Sequence, residues 1–120
     1  MAYQGLETGN RDYACHVVRN GDVIFAFKSA LNPEGSEEFG QHLQKHGDGV
    51  RDVAFHVDDA RAIFEKAVSR GAKVVQHPKE MKDSSGGHVM IATVQTYGDT
   101  THTFVERPEG LTDPFLPGFV

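Results

Sequence analysis

The chain has 120 residues, a length typical of one domain, and its 38% hydrophobic and 24% charged residues are typical of a globular protein. Its 17 acidic residues outnumber the 12 Lys and Arg residues, which gives a formal net charge of -5. A nucleic acid or an anionic membrane is therefore disfavoured as a partner, because phosphate binding needs a basic surface.

The cysteine content and the first residues indicate the compartment. Cys15 is the single cysteine, so neither an intrachain disulfide nor a multi-cysteine zinc site can form. It lies mid-strand without a neighbouring base, which favours a packing role over a nucleophile. Residues 1–10 contain no apolar run typical of a signal peptide, and no window has the length of a membrane span. We expect a cytoplasmic protein.

The first half of the chain predicts three strands and a helix. Short strands are predicted over 2–6 and 12–19, and Asn20-Gly21 predicts a type I′ hairpin into a third strand that begins at Val23. After a turn at 32–35, Ser36 can cap a helix that reaches His46, with Phe39 and Leu43 on its buried face.

The second half predicts a strand, a helix and three more strands. A strand over 50–57 precedes a helix that Asp58 and Asp59 open, and Gly71 has the position of a left-handed C-cap. The helix has one apolar side, formed by Ala60, Ile63, Phe64, Ala67 and Val68. Strands follow over 73–77, where Pro78 stops the chain, and over 89–96 and 101–107. Residues 1–107 are predicted to form the domain, and 108–120, rich in Pro and Gly, the start of a linker.

The predicted order is β-β-β-α-β-α-β-β-β, which indicates an α+β fold with a largely antiparallel sheet. From residue 50 onward the elements form a complete βαβββ module. The first part has the order of the same module without its opening strand and helix. Two such modules resemble the vicinal oxygen chelate architecture of glyoxalases and dioxygenases.

Four polar side chains on two predicted strands are candidate metal ligands. Alternation along the strand places Asp52 and His56 opposite its apolar face, and it places His102 and Glu106 together on one face of the last strand. Two His and one carboxylate form the ligand set of non-heme Fe(II) oxygenases. The alternative is a polar rim of the sheet, because spacing does not show that the four side chains converge.

The remaining histidines give weaker patterns. His42 and His46 have the i, i+4 spacing of a helical metal site but lack a third ligand nearby. His16, His77 and His88 are isolated, and we assign them no role.

Five segments carry a resemblance to a known family. They are AYQGLETG at 2–9, HVVRNG at 16–21, HGDGVRDVAF at 46–55, QTYGDTTHTFVE at 95–106 and FLPGF at 115–119. Together they resemble the first, non-catalytic domain of the 4-hydroxyphenylpyruvate dioxygenases, over nearly all of the chain.

The resemblance implies a reaction that converts 4-hydroxyphenylpyruvate and O₂ to homogentisate and CO₂ in tyrosine catabolism. It implies Fe(II), bound by two His and one Glu in a C-terminal catalytic domain, and it implies that family members are commonly oligomeric. No position here matches those ligands, so we expect no catalytic, cofactor-binding or metal-binding residue and no turnover from this chain alone. The family's first strand and helix and its catalytic domain are expected to lie outside this sequence.

If the two domains of the family arose by duplication, Asp52 and Glu106 correspond to iron-ligand positions of the catalytic domain, and we interpret them as a possible relic of a lost site. Two alternatives stay open at the level of function. One is the first domain of a hydroxymandelate synthase, and the other is a free-standing binding module of the same fold. A dimeric lyase or isomerase needs a complete ligand set, which the sequence does not provide. We expect the isolated chain to be marginally stable or to self-associate, because an uncovered apolar face and a bare sheet edge favour association.

Overall fold

The computed structural model describes residues 1–31, 41, 44–47, 49–82, 86–109 and 114–120. These residues form two compact units, one drawn from 1–48 and 113–120 and the other from 49–112. Among the described residues, no helix combines the length and the apolarity that crossing a membrane requires.

The first unit is built on a three-stranded antiparallel sheet in the order β1-β2-β3. Its strands are β1 (Ala2–Gln4), β2 (Tyr13–Asn20) and β3 (Val23–Ala30), and a 3-10 turn over Leu6–Thr8 follows β1. All three predicted strands are therefore confirmed, within a few residues at their ends.

The predicted hairpin between β2 and β3 is confirmed, but its predicted turn type is wrong. Asn20 pairs with Val23, so the two loop residues are Gly21 and Asp22. Gly21 has a φ of 61°, whereas neither Asn20 nor Asp22 has a positive φ. A type I′ turn needs positive φ at both loop residues, and the observed pattern is that of a type II′ turn with Gly first.

The core of the first unit lies on one face of its sheet. Ala2, Cys15, Val17 and Phe119 are buried together there, and Tyr13, Phe115 and Leu116 pack against them. Phe119 comes from the end of the chain, so residues 114–120 belong to this core. The division of the chain at residue 107 into a domain and a linker stays a prediction.

The opposite face of this sheet is apolar and exposed. The pairing of β2 with β3 places Val18, Val23, Phe25 and Phe27 together on that face. Their exposed fractions lie between 47% and 62%. The rings of Phe25 and Phe27 stack with 6.3 Å between their centroids. We call these four residues the exposed apolar face.

The second unit is a complete βαβββ module, as predicted. Its elements are β4 (Asp52–His56), α1 (Ala60–Ser69), β5 (Lys73–Lys82), β6 (His88–Tyr97) and β7 (Thr100–Glu106). The four strands form one sheet in the order β4-β7-β6-β5. The first and last strands of the module, β4 and β7, are parallel, and the other neighbours are antiparallel.

Helix α1 begins and ends where local chemistry predicts. The carboxylate of Asp59 accepts a hydrogen bond from the backbone N–H of Ala62, which satisfies one free donor of the first turn. At the other end, Gly71 has a φ of 101° and donates to the carbonyl of Val68, while Ala72 donates to Ala67. This pair of bonds is a Schellman motif, and it confirms the predicted C-cap.

The apolar side of α1 packs on the sheet. Phe64 is 5% exposed and is buried with Ala92 and Val94 of β6. Ala67 and Val68 pack at the edge of this cluster, as expected, but Ile63 is 37% exposed. The helix contacts β5, β6 and β7.

The prediction that Pro78 ends a strand is wrong. Strand β5 continues through it to Lys82, and the pairing with β6 shifts between Val74 and Gln76 and again between Gln76 and Lys79. Because β5 is an edge strand, a residue without an N–H and an irregular register are tolerated there.

The predicted helix from Ser36 to His46 lies mostly outside the described residues. Gln41 and residues 44–46 are helical. The predicted buried positions Phe39 and Leu43 are outside the described ranges, as is His42.

The packing of α1 gives a stability prediction. We expect Phe64→Ala to lower the free energy of unfolding by about 3–5 kcal/mol, because it removes a buried ring and leaves a cavity. Phe27→Ala is the matched control, since Phe27 is 62% exposed and its truncation leaves no cavity. Urea denaturation followed by circular dichroism measures both, and equal losses for the two variants would contradict this account of the core.

Candidate functional site

The parallel pairing of β4 with β7 decides which candidate ligands share a face. Asp52 lies beside Thr101 and Val53 beside His102. Directly paired residues point to the same side of a sheet, and successive residues point to opposite sides. Asp52 and His56 therefore lie on one face, and His102 and Glu106 on the other.

On the first of these faces, Asp52 is held by threonine hydroxyls. The Oδ1 atom of Asp52 accepts hydrogen bonds from the hydroxyls of Thr101 at 2.6 Å and Thr103 at 2.9 Å. The hydroxyl of Thr103 is also 3.0 Å from that of Thr93 on β6. We call Asp52, Thr93, Thr101 and Thr103 the Asp52 network. It holds the carboxylate in one position on the face opposite α1.

Glu106 has a different role on the helix face. Its Oε1 atom accepts a hydrogen bond of 3.0 Å from the backbone N–H of Ala60, the first residue of α1. A carboxylate at this position satisfies a donor that the helix leaves unpaired, and its charge is favourable at the positive end of the helix dipole. Glu106 therefore ties the end of β7 to the start of α1.

His102 lies among aromatic rings on the helix face. Its ring is 5.7 Å from that of Phe55 and 6.2 Å from that of Tyr97, and its Nδ1 atom is 3.2 Å from the carbonyl oxygen of Val53. The imidazole therefore packs against two aromatic rings and contacts one backbone carbonyl.

The structure does not bring Asp52, His56, His102 and Glu106 to one face of the sheet. The sheet separates the first two from the last two, so they cannot bind one ion together. Within the described ranges, no three His, Cys, Asp or Glu side chains are grouped so that they could hold a metal ion. The described residues of this unit do not fit the two-His, one-carboxylate iron site. The correspondence of Asp52 and Glu106 to ligand positions of a duplicated domain stays a prediction.

The other histidines have different surroundings. The ring of His16 packs at a tilt against that of Tyr3, with 4.8 Å between centroids. His77 lies beside Phe64, and the Nδ1 atom of His88 is 2.8 Å from a carboxylate oxygen of Glu80. His46 is helical, and its proposed partner His42 lies outside the described residues.

Cys15 has the environment of a packing residue. It is 5% exposed within the first core. Burial raises the pKa of its thiol, and the nearby ammonium of Lys28 only partly opposes this effect. A raised pKa lowers the fraction of reactive thiolate at neutral pH.

The sequence interpretation missed the threonines of the Asp52 network and the bond from Ala60 to Glu106. Alternation does place Thr101 and Thr103 on one face of β7. Their position beside Asp52, however, follows from the parallel register, which joins residues almost fifty positions apart and has no local signal.

The bond from Ala60 to Glu106 gives a second stability prediction. We expect Glu106→Ala to lower the free energy of unfolding by about 1 kcal/mol, because the first N–H of α1 loses its acceptor and the helix loses a favourable charge. Glu109→Ala is the control, because Glu109 is exposed beyond the end of β7 and its loss should change stability by less than about 0.5 kcal/mol. Urea denaturation at neutral pH compares the two. Indistinguishable midpoints would show that Glu106 does not hold the helix.

Comparison with known proteins gives one consistent family. The family model described as hydroxyphenylpyruvate dioxygenase, HPPD, N-terminal, matches residues 4–113. The 4-hydroxyphenylpyruvate dioxygenase of Danio rerio is 55% identical over 119 residues, which are 99% of this chain and 30% of that protein. That of Yarrowia lipolytica is 53% identical over 125 residues, 100% of this chain and 30% of that protein. The chain thus spans about a third of the length of these relatives.

Solved structures agree with the family match. A triple mutant of 4-hydroxymandelate synthase from Streptomyces coelicolor superposes with a TM-score of 0.80 at 32% identity, over 98% of this chain and 31% of that one. A hypothetical protein from Bacillus halodurans C-125 superposes with a TM-score of 0.67 at 14% identity, over 92% of this chain and 77% of that one, and shows the same fold. With the family model matching 4–113 and the relatives matching nearly end to end, the chain belongs to the family of hydroxyphenylpyruvate dioxygenase N-terminal domains.

Proposed function

We propose that this chain is the first, non-catalytic domain of a 4-hydroxyphenylpyruvate dioxygenase. The whole enzyme would convert 4-hydroxyphenylpyruvate and O₂ to homogentisate and CO₂. The observation that carries the proposal is identity of 44–55% to seven curated proteins of that name, along 98–100% of the chain.

The Fe(II) of the reaction would be bound outside this chain, in the C-terminal domain that also receives the keto acid and O₂. The geometry of the second unit supports this assignment. An iron site of two His and one carboxylate needs all three ligands around one point. Here the sheet separates Asp52 from His102 and Glu106, and Glu106 already accepts a bond from the start of α1.

This domain would serve the enzyme as a partner of the catalytic domain. Its surface is acidic overall, which disfavours nucleic acid and anionic membranes as further partners. We place the enzyme in the cytoplasm, as an assembly of several copies. Asp52 and Glu106 would have structural roles in this domain, in the Asp52 network and at the helix start.

The first domain of a hydroxymandelate synthase is the second candidate. The structural match with a TM-score of 0.80 favours this candidate, but its identity is 32%, below the 44–55% of the seven curated dioxygenases compared above. Both enzymes are proposed to use the same keto acid, so the product distinguishes them. A free-standing binding module is a third possibility, which requires a chain that folds alone as a compact monomer despite the exposed apolar face.

The proposal predicts that the isolated chain does not consume O₂. With 4-hydroxyphenylpyruvate, Fe(II) and ascorbate in an oxygen electrode, we expect no uptake above that of the same mixture without protein. We also expect no tight stoichiometric iron binding, because the candidate ligands lie on opposite faces of the sheet. Clear turnover, or stoichiometric iron binding that Glu106→Ala abolishes, would overturn the non-catalytic assignment.

The reaction itself is tested with a longer protein that joins this chain to the proposed catalytic domain. We expect it to take up O₂ with 4-hydroxyphenylpyruvate and to release homogentisate, identified by chromatography and mass. Release of 4-hydroxymandelate instead would assign the chain to the synthase.

A further inference from the structure

The end of the chain is bound to the first sheet through a buried aromatic anchor. Phe119 is 9% exposed and lies in the core with Ala2, Cys15 and Val17. Its ring meets that of Phe115 edge to face, with 5.1 Å between centroids. We call residues 114–120 the strap. Its anchor lies on the face of the sheet that also buries the thiol.

The backbone of the strap continues the hydrogen bonding of the sheet. The N–H of Tyr3 donates to the carbonyl of Val120 at 2.8 Å, and the N–H of Val120 donates to the carbonyl of Tyr3 at 2.9 Å. Such a reciprocal pair is the repeating unit of an antiparallel ladder. One edge of β1 pairs with β2, so Val120 takes the other edge.

A tight turn aims the anchor into the core. The N–H of Phe119 donates to the carbonyl of Leu116 at 3.1 Å, and Gly118 has a φ of 94°. A Cβ atom at Gly118 would lie 3.0 Å from the Nε2 atom of Gln4, and the Oε1 atom of the same amide accepts a hydrogen bond from the Tyr13 hydroxyl. Glycine is therefore required there for the backbone conformation and for the close approach to β1.

We propose that the strap is a latch: its docking on β1 closes the core over Cys15 and holds residues 114–120 at the edge of the first sheet. Undocking of the latch is a local opening, distinct from unfolding of the unit. If the proposed function holds, the latch connects the first sheet to the catalytic domain. A movement of that domain would then break the hydrogen bonds between Tyr3 and Val120 before it disturbs the rest of the sheet.

The contacts explain why such an opening is local. The strap meets the sheet at the edge of β1, a strand of three residues, whereas β2 and β3 are paired over eight residues each. Segments with few contacts open at lower free energy than the strands below them. The thiol of Cys15 reports the opening, because it is buried when Phe119 is in place.

The test compares two substitutions of left-handed glycines in the full chain. Gly118→Ala strains the strap turn, and Gly9→Ala imposes the same kind of strain at a φ of 88° where no atom lies within 4 Å of the new Cβ. The readout is the rate at which a thiol reagent labels Cys15 in native buffer. We expect Gly118→Ala to label roughly tenfold faster than the parent chain, the factor set by a strained left-handed alanine, and Gly9→Ala to change by less than about twofold.

A second variant and a denaturant series make the result decisive. Phe119→Ala removes the anchor and should accelerate labelling at least as much, while thermal melting followed by circular dichroism stays cooperative. In the parent chain, labelling at low urea should depend on urea less steeply than unfolding does, because a local opening exposes little surface. Equal acceleration by Gly118→Ala and Gly9→Ala, or a labelling rate that follows global unfolding throughout, would overturn the latch. These outcomes are independent of product identity, which tests the proposed function.

Discussion

In the second unit, the backbone of β4 bonds in parallel to β7, so that Asp52 lies beside Thr101. This register places the carboxylate within reach of the Thr101 and Thr103 hydroxyls. It also puts Val53 and Phe55 on the face of Phe104, a ring that packs against the cluster under α1. A shift of one residue would exchange the two faces and bring Asp52 to the apolar side. The register of this strand pair therefore fixes the positions of the polar side chains.

The same constraint explains why Glu106 serves the helix. With His102 and Phe104 on the helix face, alternation carries Glu106 to that face at the end of β7. There it meets the first N–H of α1. A residue that resembles a metal ligand by type is thus used as a helix acceptor, and the covalent order of the chain alone does not distinguish the two uses.

Local features of the fold could be predicted from the sequence, and long-range ones could not. The Asp59 cap, the Gly71 terminus and the hairpin at Gly21 depend on neighbouring residues, and the sequence indicates all three. The predicted turn type is wrong because Asn20 pairs with Val23, so that the loop residues are Gly21-Asp22 and not Asn20-Gly21. Strand β5 continues through Pro78 because it is an edge strand, and this edge position depends on the order of the whole sheet, which the residues around Pro78 do not indicate.

The candidate site was predictable only in part. Alternation correctly puts Asp52 and His56 opposite the apolar side of β4. It could not relate that face to β7, because two strands can pair in parallel or antiparallel and in several registers. The family assignment succeeded for a different reason: it rests on long matching segments and requires no knowledge of which side chains meet.

The exposed apolar face has a consequence for handling the protein. The four residues that define this face are uncharged. The register places four more side chains on it, which are Ala14, His16, Asn20 and Ser29. The face therefore contains no Asp, Glu, Lys or Arg from β2 or β3. The paired strands therefore contribute none of the net charge of -5 to this face. Sodium chloride screens repulsion between the charged surfaces and leaves the attraction between apolar ones in place, and sulfate strengthens that attraction. We therefore expect the chain to self-associate least in dilute buffer of low ionic strength.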